Sequence, residues 1–76
     1  MSELEWMRTF SKNLQEMIDD SRMSQKEIAY NAGISEASLT NYIKGNRMPT
    51  AKAILNISYA LDCDVSDLMD FGEQIR

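Results

Sequence analysis

The stretch SQKEIAYNAGISEASLTNYIKGNRMP, residues 24–49, decides the fold. Ser24 and Glu27 stand at the spacing of a capping box, in which the serine hydroxyl accepts from the backbone at 27 while the glutamate reaches back to residue 24. A brief helix starts there, with Ile28, Ala29 and Ala32 as its buried face. Gly33 supplies the left-handed backbone that ends it. Small Ala29 and Ala32 let another helix approach closely, and Ile34 is placed to plug the corner between the two. Ser35 caps the next helix, whose apolar set Leu39, Tyr42 and Ile43 recurs at helical spacing. Its other face carries Glu36, Ala37, Ser38, Thr40, Asn41 and Lys44, small and polar side chains with little reason to be buried in their own protein. Gly45 stops this helix, and Pro49 keeps the loop Asn46-Arg47-Met48 from resuming it.

On the N-terminal side, Leu4, Met7, Phe10, Leu14, Met17 and Ile18 recur at steps of three and four, which predicts an amphipathic helix over residues 3–21 with that stripe as core. Trp6 lies off the centre of the stripe, either at the core edge or free for a partner. The helix should stop near Arg22. On the C-terminal side, Thr50 caps a fourth helix whose wide buried face is Ala51, Ile54, Leu55, Ile57, Ser58 and Leu61. The turn Asp62-Cys63-Asp64-Val65 follows. Ser66 is expected to cap a last short helix through Asp70, bringing Leu68 and Met69 back onto the core. Residues 71–76 form a short tail. No segment has a strand signal, so the expected fold is all-α: five helices in one domain, residues 1–76.

The 76 residues, 43% of them apolar, allow one small core, near the lower limit for folding without a metal or disulfide. Cys63 is the single cysteine and there is no histidine, so neither an internal disulfide nor a structural zinc set is available. No metal or cofactor is expected, and such a chain suits a reducing cytoplasm. No apolar run approaches the ~20 residues that span a bilayer, and the opening MSELEW is acidic where a signal peptide is basic. General-base, nucleophile and metal chemistry each need a constellation of groups that this composition lacks, so an enzyme is not expected.

Charge is segregated along the chain. Residues 1–21 hold Arg8 and Lys12 against five carboxylates, and residues 53–76 hold Arg76 against five more. The middle reverses the balance, with Arg22, Lys26, Lys44, Arg47 and Lys52 against only Glu27 and Glu36. A net charge of -4 is awkward for a protein that binds phosphate, yet the basic third coincides with the paired short helices.

The run Ser24-Gln25, Ile28-Ala29, Gly33-Ile34-Ser35, Leu39, Tyr42, Gly45 and Pro49, followed by Leu61 and Leu68, resembles the helix-turn-helix domain of lambdoid phage repressors and Cro, the group of XRE-type transcriptional regulators. The likeness covers about residues 8–70, with the helix-turn-helix core at 24–45. It implies a compact lambda repressor-like domain that binds double-stranded DNA, the second helix of the pair lying in the major groove while the first crosses the backbone. On that pattern Glu36, Ala37, Ser38 and Asn41 fall where the family reaches base edges. Asn41 suits adenine, Ala37 a thymine methyl, Ser38 a base or a phosphate, and Glu36 a cytosine amino group. Gln25 matches a position that clamps a phosphate at a helix N-terminus. Ser35, Thr40, Lys44, Asn46 and Arg47 would lie along the DNA backbone, Arg47 in a loop that in relatives approaches the minor groove.

Three departures from the pattern carry expectations of their own. Ile18 and Ile43 stand where many relatives place a partly buried arginine–glutamate pair, a double apolar swap that removes two desolvation costs. Asp62 replaces a customary glycine after the fourth helix, which predicts local strain, and Cys63 stands at a usually aliphatic position. The acidic ends are unusual for a tight DNA binder. The resemblance therefore implies a repressor of phage or bacterial type acting in the cytoplasm of a bacterial or phage-infected cell. A helix-turn-helix protein-interaction module also remains open: an anti-repressor or antitoxin-like partner of a second regulatory protein, with weak or no DNA binding. Because one recognition helix reads only a few base pairs, a homodimer is expected, through Trp6, Met69, Phe71 and Ile75 unless these finish the monomer's own core.

Overall fold

The computed structural model describes residues 2–70 together with Gly72, and across them the chain forms α1 (Glu3–Asp20), α2 (Gln25–Ala32), α3 (Glu36–Lys44), α4 (Ala51–Ala60) and α5 (Val65–Leu68). No strand occurs among the described residues. Each of the four longer helices opens on a hydroxyl that accepts from the N–H three residues on: Ser2 from Glu5, Ser24 from Glu27, Ser35 from Ser38 and Thr50 from Ala53. These bonds satisfy donors that a helix start otherwise leaves bare. The capping box expected at Ser24 is complete, since the Glu27 carboxylate accepts the Ser24 N–H at 3.4 Å.

All five helices contribute to one core. Its most deeply buried large side chains are Phe10 and Leu14 from α1, Ile28 from α2, Leu39 from α3, Ile57 from α4 and Leu68 from α5. Burial of such a side chain stabilises by roughly 1.5–3 kcal/mol, so a core of this size leaves little surplus over chain entropy. α2 packs on α4 and α3, α1 lies along α3 and α5, and α4 also meets α5. The Asn13 side-chain amide donates to the carbonyls of Leu68 and Asp70, each at 2.9 Å, and so ties the end of the shortest helix to the longest.

Gly33 (φ +70°) and Gly45 (φ +72°) take the left-handed backbone expected of them, and Ile34 packs against the core at the corner. Asp62 is left-handed too, at φ +53°, a region that costs a non-glycine residue more than glycine. Ile18 is buried and Ile43 packs partly buried against the core, in keeping with an apolar swap at both positions. Cys63 likewise packs half-buried against it.

Three expectations are corrected. Leu4 is 52% exposed, because α1 has 18 residues and runs longer than the rest of the core can cover, leaving Glu3, Leu4 and Glu5 in solvent. In α4, Leu55 is 49% exposed and Ala51 is exposed as well. The buried face is Ala53, Ile54, Ile57, Ser58, Ala60 and Leu61, whereas Ala51, Leu55 and Tyr59, four apart, form a row along the helix that the core does not reach. The last helix starts at Val65 with Asp64 as its cap and ends at Leu68, so Ser66 lies inside it and Asp70 beyond it. The reason is local: the Asp67 carboxylate accepts the Asp64 N–H at 3.1 Å, and this acidic pair sets the start two residues earlier than the serine.

Candidate nucleic-acid interface

α3 is divided along its length. Leu39 and Tyr42 are buried and Ile43 is partly so, while Glu36, Ala37 and Lys44 are exposed and Ser38, Thr40 and Asn41 are half-exposed. Amphipathic spacing forces this division, since every large apolar residue of the helix falls on the side that meets the core. The side turned away carries the residues expected to reach base edges, Glu36, Ala37, Ser38 and Asn41.

Two contacts hold the far end of α3 in place. The Ser11 hydroxyl on α1 donates to the Ile43 carbonyl in the last turn of α3. Gly45, the residue after that turn, lies against α1 closely enough that a Cβ on it would meet Ser11 Cβ at 3.6 Å. The Gly45 N–H donates to Tyr42 at 3.2 Å and the Asn46 N–H to Asn41 at 2.9 Å, closing the helix before the loop departs. At the other end, Ser35 Oγ accepts from the Ser38 N–H at 3.0 Å.

Beyond this cap the structure joins three of the sequence-derived residues. Ser35 Oγ donates to Ser38 Oγ at 3.0 Å, and Arg47 Nη1 donates to the same Ser38 oxygen at 3.2 Å. The loop arginine therefore leans back over α3. The remaining positions are placed separately: Gln25 exposed as the first residue of α2, Lys44 exposed at the end of α3, and Asn46 exposed in the loop. Lys26 and Lys52, basic in the same third of the chain, are exposed too. Ser11 is the residue that sequence reading passed over. It sits among polar residues of α1 with no motif around it, and only the meeting of α1 with α3 gives it a role.

Of the residues named for a dimer, Trp6 and Met69 take the alternative in which they finish the monomer's own core. Trp6 stacks on Phe10 with ring centroids 5.5 Å apart, and both Trp6 and Met69 pack against the monomer core. Phe71 and Ile75 lie outside the described residues. Exposed apolar surface gathers instead at the α4–α5 corner, where Leu55, Tyr59 and Val65 line an open cleft of about 280 Å³ with Ser58, Asp62, Cys63 and Asp64. Burial, reinforced by the charges of Asp67, Asp64 and Asp62, pushes the Cys63 thiol pKa up. No helix among the described residues is long and apolar enough to cross a membrane.

Comparison with known proteins agrees with this geometry. In sequence, the chain is 33% identical over 60 residues to an uncharacterized HTH-type transcriptional regulator, YqaE of Bacillus subtilis (strain 168), a match covering 79% of this chain and 52% of that protein. The chain thus spans about half the length of that curated relative. Among solved structures, the restriction-modification controller protein C.AhdI from Aeromonas hydrophila superposes with a TM-score of 0.78 at 24% identity, over 82% of this chain and 94% of that one. At that identity the likeness speaks to the fold alone. The SOS-response transcriptional repressor LexA from Eubacterium rectale superposes with a TM-score of 0.80 at 25% identity, over 95% of this chain and 76% of that one. The family model of the Cro/C1-type HTH DNA-binding domain matches residues 13–74, from the middle of α1 to beyond α5, and the chain belongs to that family of helix-turn-helix DNA-binding domains.

Proposed function

We propose that the chain binds double-stranded DNA in a sequence-specific way and represses transcription as a dimer on an operator, in the cytoplasm of a bacterial cell. The observation that carries this reading is the division of α3: a buried apolar side anchored to α1 through Ser11 and Gly45, and an outward side bearing Ala37, Ser38 and Asn41. A helix held rigidly with small hydrogen-bonding groups outward suits the major groove, where base edges present donors and acceptors. Glu36, Ala37, Ser38 and Asn41 supply the groups that face base edges. Gln25, Ser35, Thr40, Lys44 and Asn46 supply those that face the sugar-phosphate backbone. Glu36 repels phosphate, so it contributes discrimination at the expense of affinity.

Two copies are needed because one recognition helix covers only a few base pairs, and half-sites lie about 34–36 Å apart, one turn of the duplex. Leu55, Tyr59 and Val65 support a dimer built at the α4–α5 corner, since they are the large apolar side chains around an open cleft.

The test is binding of the purified chain to the duplex DNA flanking its own gene, titrated at several salt concentrations. Specific binding should weaken steeply as salt rises, and Asn41→Ala should relax the preference at one position of the site while leaving non-specific binding. A chain with no salt-dependent affinity for any duplex would remove the reading and leave the protein-interaction module in its place.

A further inference from the structure

We infer that Arg47 is a base-reading residue: held by Ser38 over the outward face of α3, its guanidinium takes the O6 and N7 edge of a guanine in the major groove. The inference rests on the DNA-binding reading above and departs from the family pattern, which puts this loop residue on the backbone. Its starting point is the hydrogen-bond arithmetic at Ser38. A serine hydroxyl has two acceptor positions and one proton to give. Ser35 Oγ–H and Arg47 Nη1–H fill the two acceptor positions, at 3.0 and 3.2 Å. What Ser38 has left to offer is its own proton. Arg47 donates only one of its five N–H groups to Ser38, so four remain, and guanidinium has no acceptor at all.

The Ser38–Arg47 pair therefore presents donors alone to whatever lies opposite. In the major groove the base edge made of two adjacent acceptors is that of guanine, whereas adenine offers one acceptor beside one donor. Geometry places the pair over the base-reading face. Ser38 and Asn41 are three residues apart on α3, about 4.5 Å along its axis, nearer to one ~3.4 Å base-pair step than to two. Asn41, with one donor and one acceptor, suits adenine, so the two readers address neighbouring pairs. Ala37, exposed beside Ser38 and carrying only a methyl, leaves the approach clear. In this arrangement Ser38 is a positioning residue for Arg47, selecting one direction for a long side chain that would otherwise sweep across the backbone.

Selection from a randomised duplex library, with the full chain and its Arg47→Ala, Arg47→Lys, Ser38→Ala and Asn41→Ala variants, tests this. The wild type should enrich a guanine in each half-site, next to the position that Asn41→Ala relaxes. Arg47→Ala should lower discrimination at that guanine by about 10- to 100-fold and leave the other positions intact. Arg47→Lys should keep the salt dependence yet lose most of that preference, because a point charge lacks the planar fork. Ser38→Ala should relax the same position in part. Its backbone N–H still meets Ser35, so the helix cap survives, and a thermal melt followed by circular dichroism checks that every variant folds. If Arg47→Ala instead weakens binding to all sequences alike and reduces the salt slope by about one, Arg47 is a phosphate contact and the inference falls while DNA binding stands. An enriched site without that guanine overturns it too. A folded wild type that enriches no sequence overturns the DNA-binding reading itself.

Discussion

The Ser11 hydroxyl on α1 and the Ile43 carbonyl on α3 are hydrogen-bonded across 32 residues of sequence, and this bond anchors the end of α3 to the longest helix of the fold. The last carbonyls of a helix have no partner within it, so a side-chain donor from a neighbouring helix fixes position as well as satisfying the acceptor. Ser11→Ala should destabilise the domain by about 1–2 kcal/mol. In a domain this small each kcal/mol corresponds to a Tm shift of about 4–8 °C. A melt followed by circular dichroism reads it, and an unchanged Tm would show that packing alone holds α3.

Three of the left-handed positions, Gly33, Gly45 and Asp62, provide a controlled comparison. A Cβ on Gly33 would have no neighbour within 4 Å and one on Gly45 would meet ordinary van der Waals contact, so the backbone angle is the main obstacle at both. Gly33→Ala and Gly45→Ala should each cost about 1–2 kcal/mol, similar to one another. Asp62→Gly should act in the opposite direction, gaining about 0.5–1 kcal/mol once the added freedom of the unfolded chain is counted. Urea unfolding of the three variants measures the pattern; a much larger loss at Gly45 would mean that the contact with Ser11 decides.

At the α4–α5 corner Tyr59 is 79% exposed beside half-exposed Leu55. Tyr59→Asp and Leu55→Asp should leave the melting temperature nearly unchanged, since neither side chain supports the monomer core. Sedimentation should show loss of the dimer, and affinity for a two-half-site duplex should fall with it. A dimer mass that survives both variants would place the contact between copies elsewhere. Met69→Ala is the contrasting change: it should lower stability first, because Met69 packs against the core.

The Cys63 thiol pKa is raised, by burial first and then by Asp67, Asp64 and Asp62. A raised folded-state value contributes stability that is complete below the ordinary thiol range. That contribution is lost as pH climbs through the raised value, so its effect appears only in alkaline solution. At neutral pH the thiol should react with iodoacetamide more slowly than a free cysteine. Asp67→Asn should shift the midpoint of the reaction's pH profile downward; an unmoved midpoint would remove Asp67 from the causes.

Much of this fold was legible before any coordinates. The starts at Ser24, Ser35 and Thr50, the glycine stops at Gly33 and Gly45, and the buried set Phe10, Leu14, Ile28, Leu39, Ile57 and Leu68 all follow from local rules acting over three or four residues. The rules failed where a choice depended on distant neighbours or on competing local ones. Leu4 and Leu55 satisfy helical periodicity as well as their buried counterparts do, and whether another helix reaches them is a matter of where that helix ends. The last helix was misplaced because two capping residues, Asp64 and Ser66, stand two apart, and only the bond from Asp64 to Asp67 shows which one opens it.

The candidate interface divides in the same way. Local rules suffice to turn Glu36, Ala37, Ser38 and Asn41 of a short capped helix away from the core, because the period of an α-helix leaves those positions no other side. Tertiary structure alone decided what holds that helix and what stands beside it. Ser11 meets Ile43 only because α1 lies along α3, and Arg47 meets Ser38 only because the loop after Gly45 folds back over the helix it has just left. Both contacts join residues too far apart in sequence for spacing to relate them, and their formation depends on how helices and loop dispose themselves around a shared core.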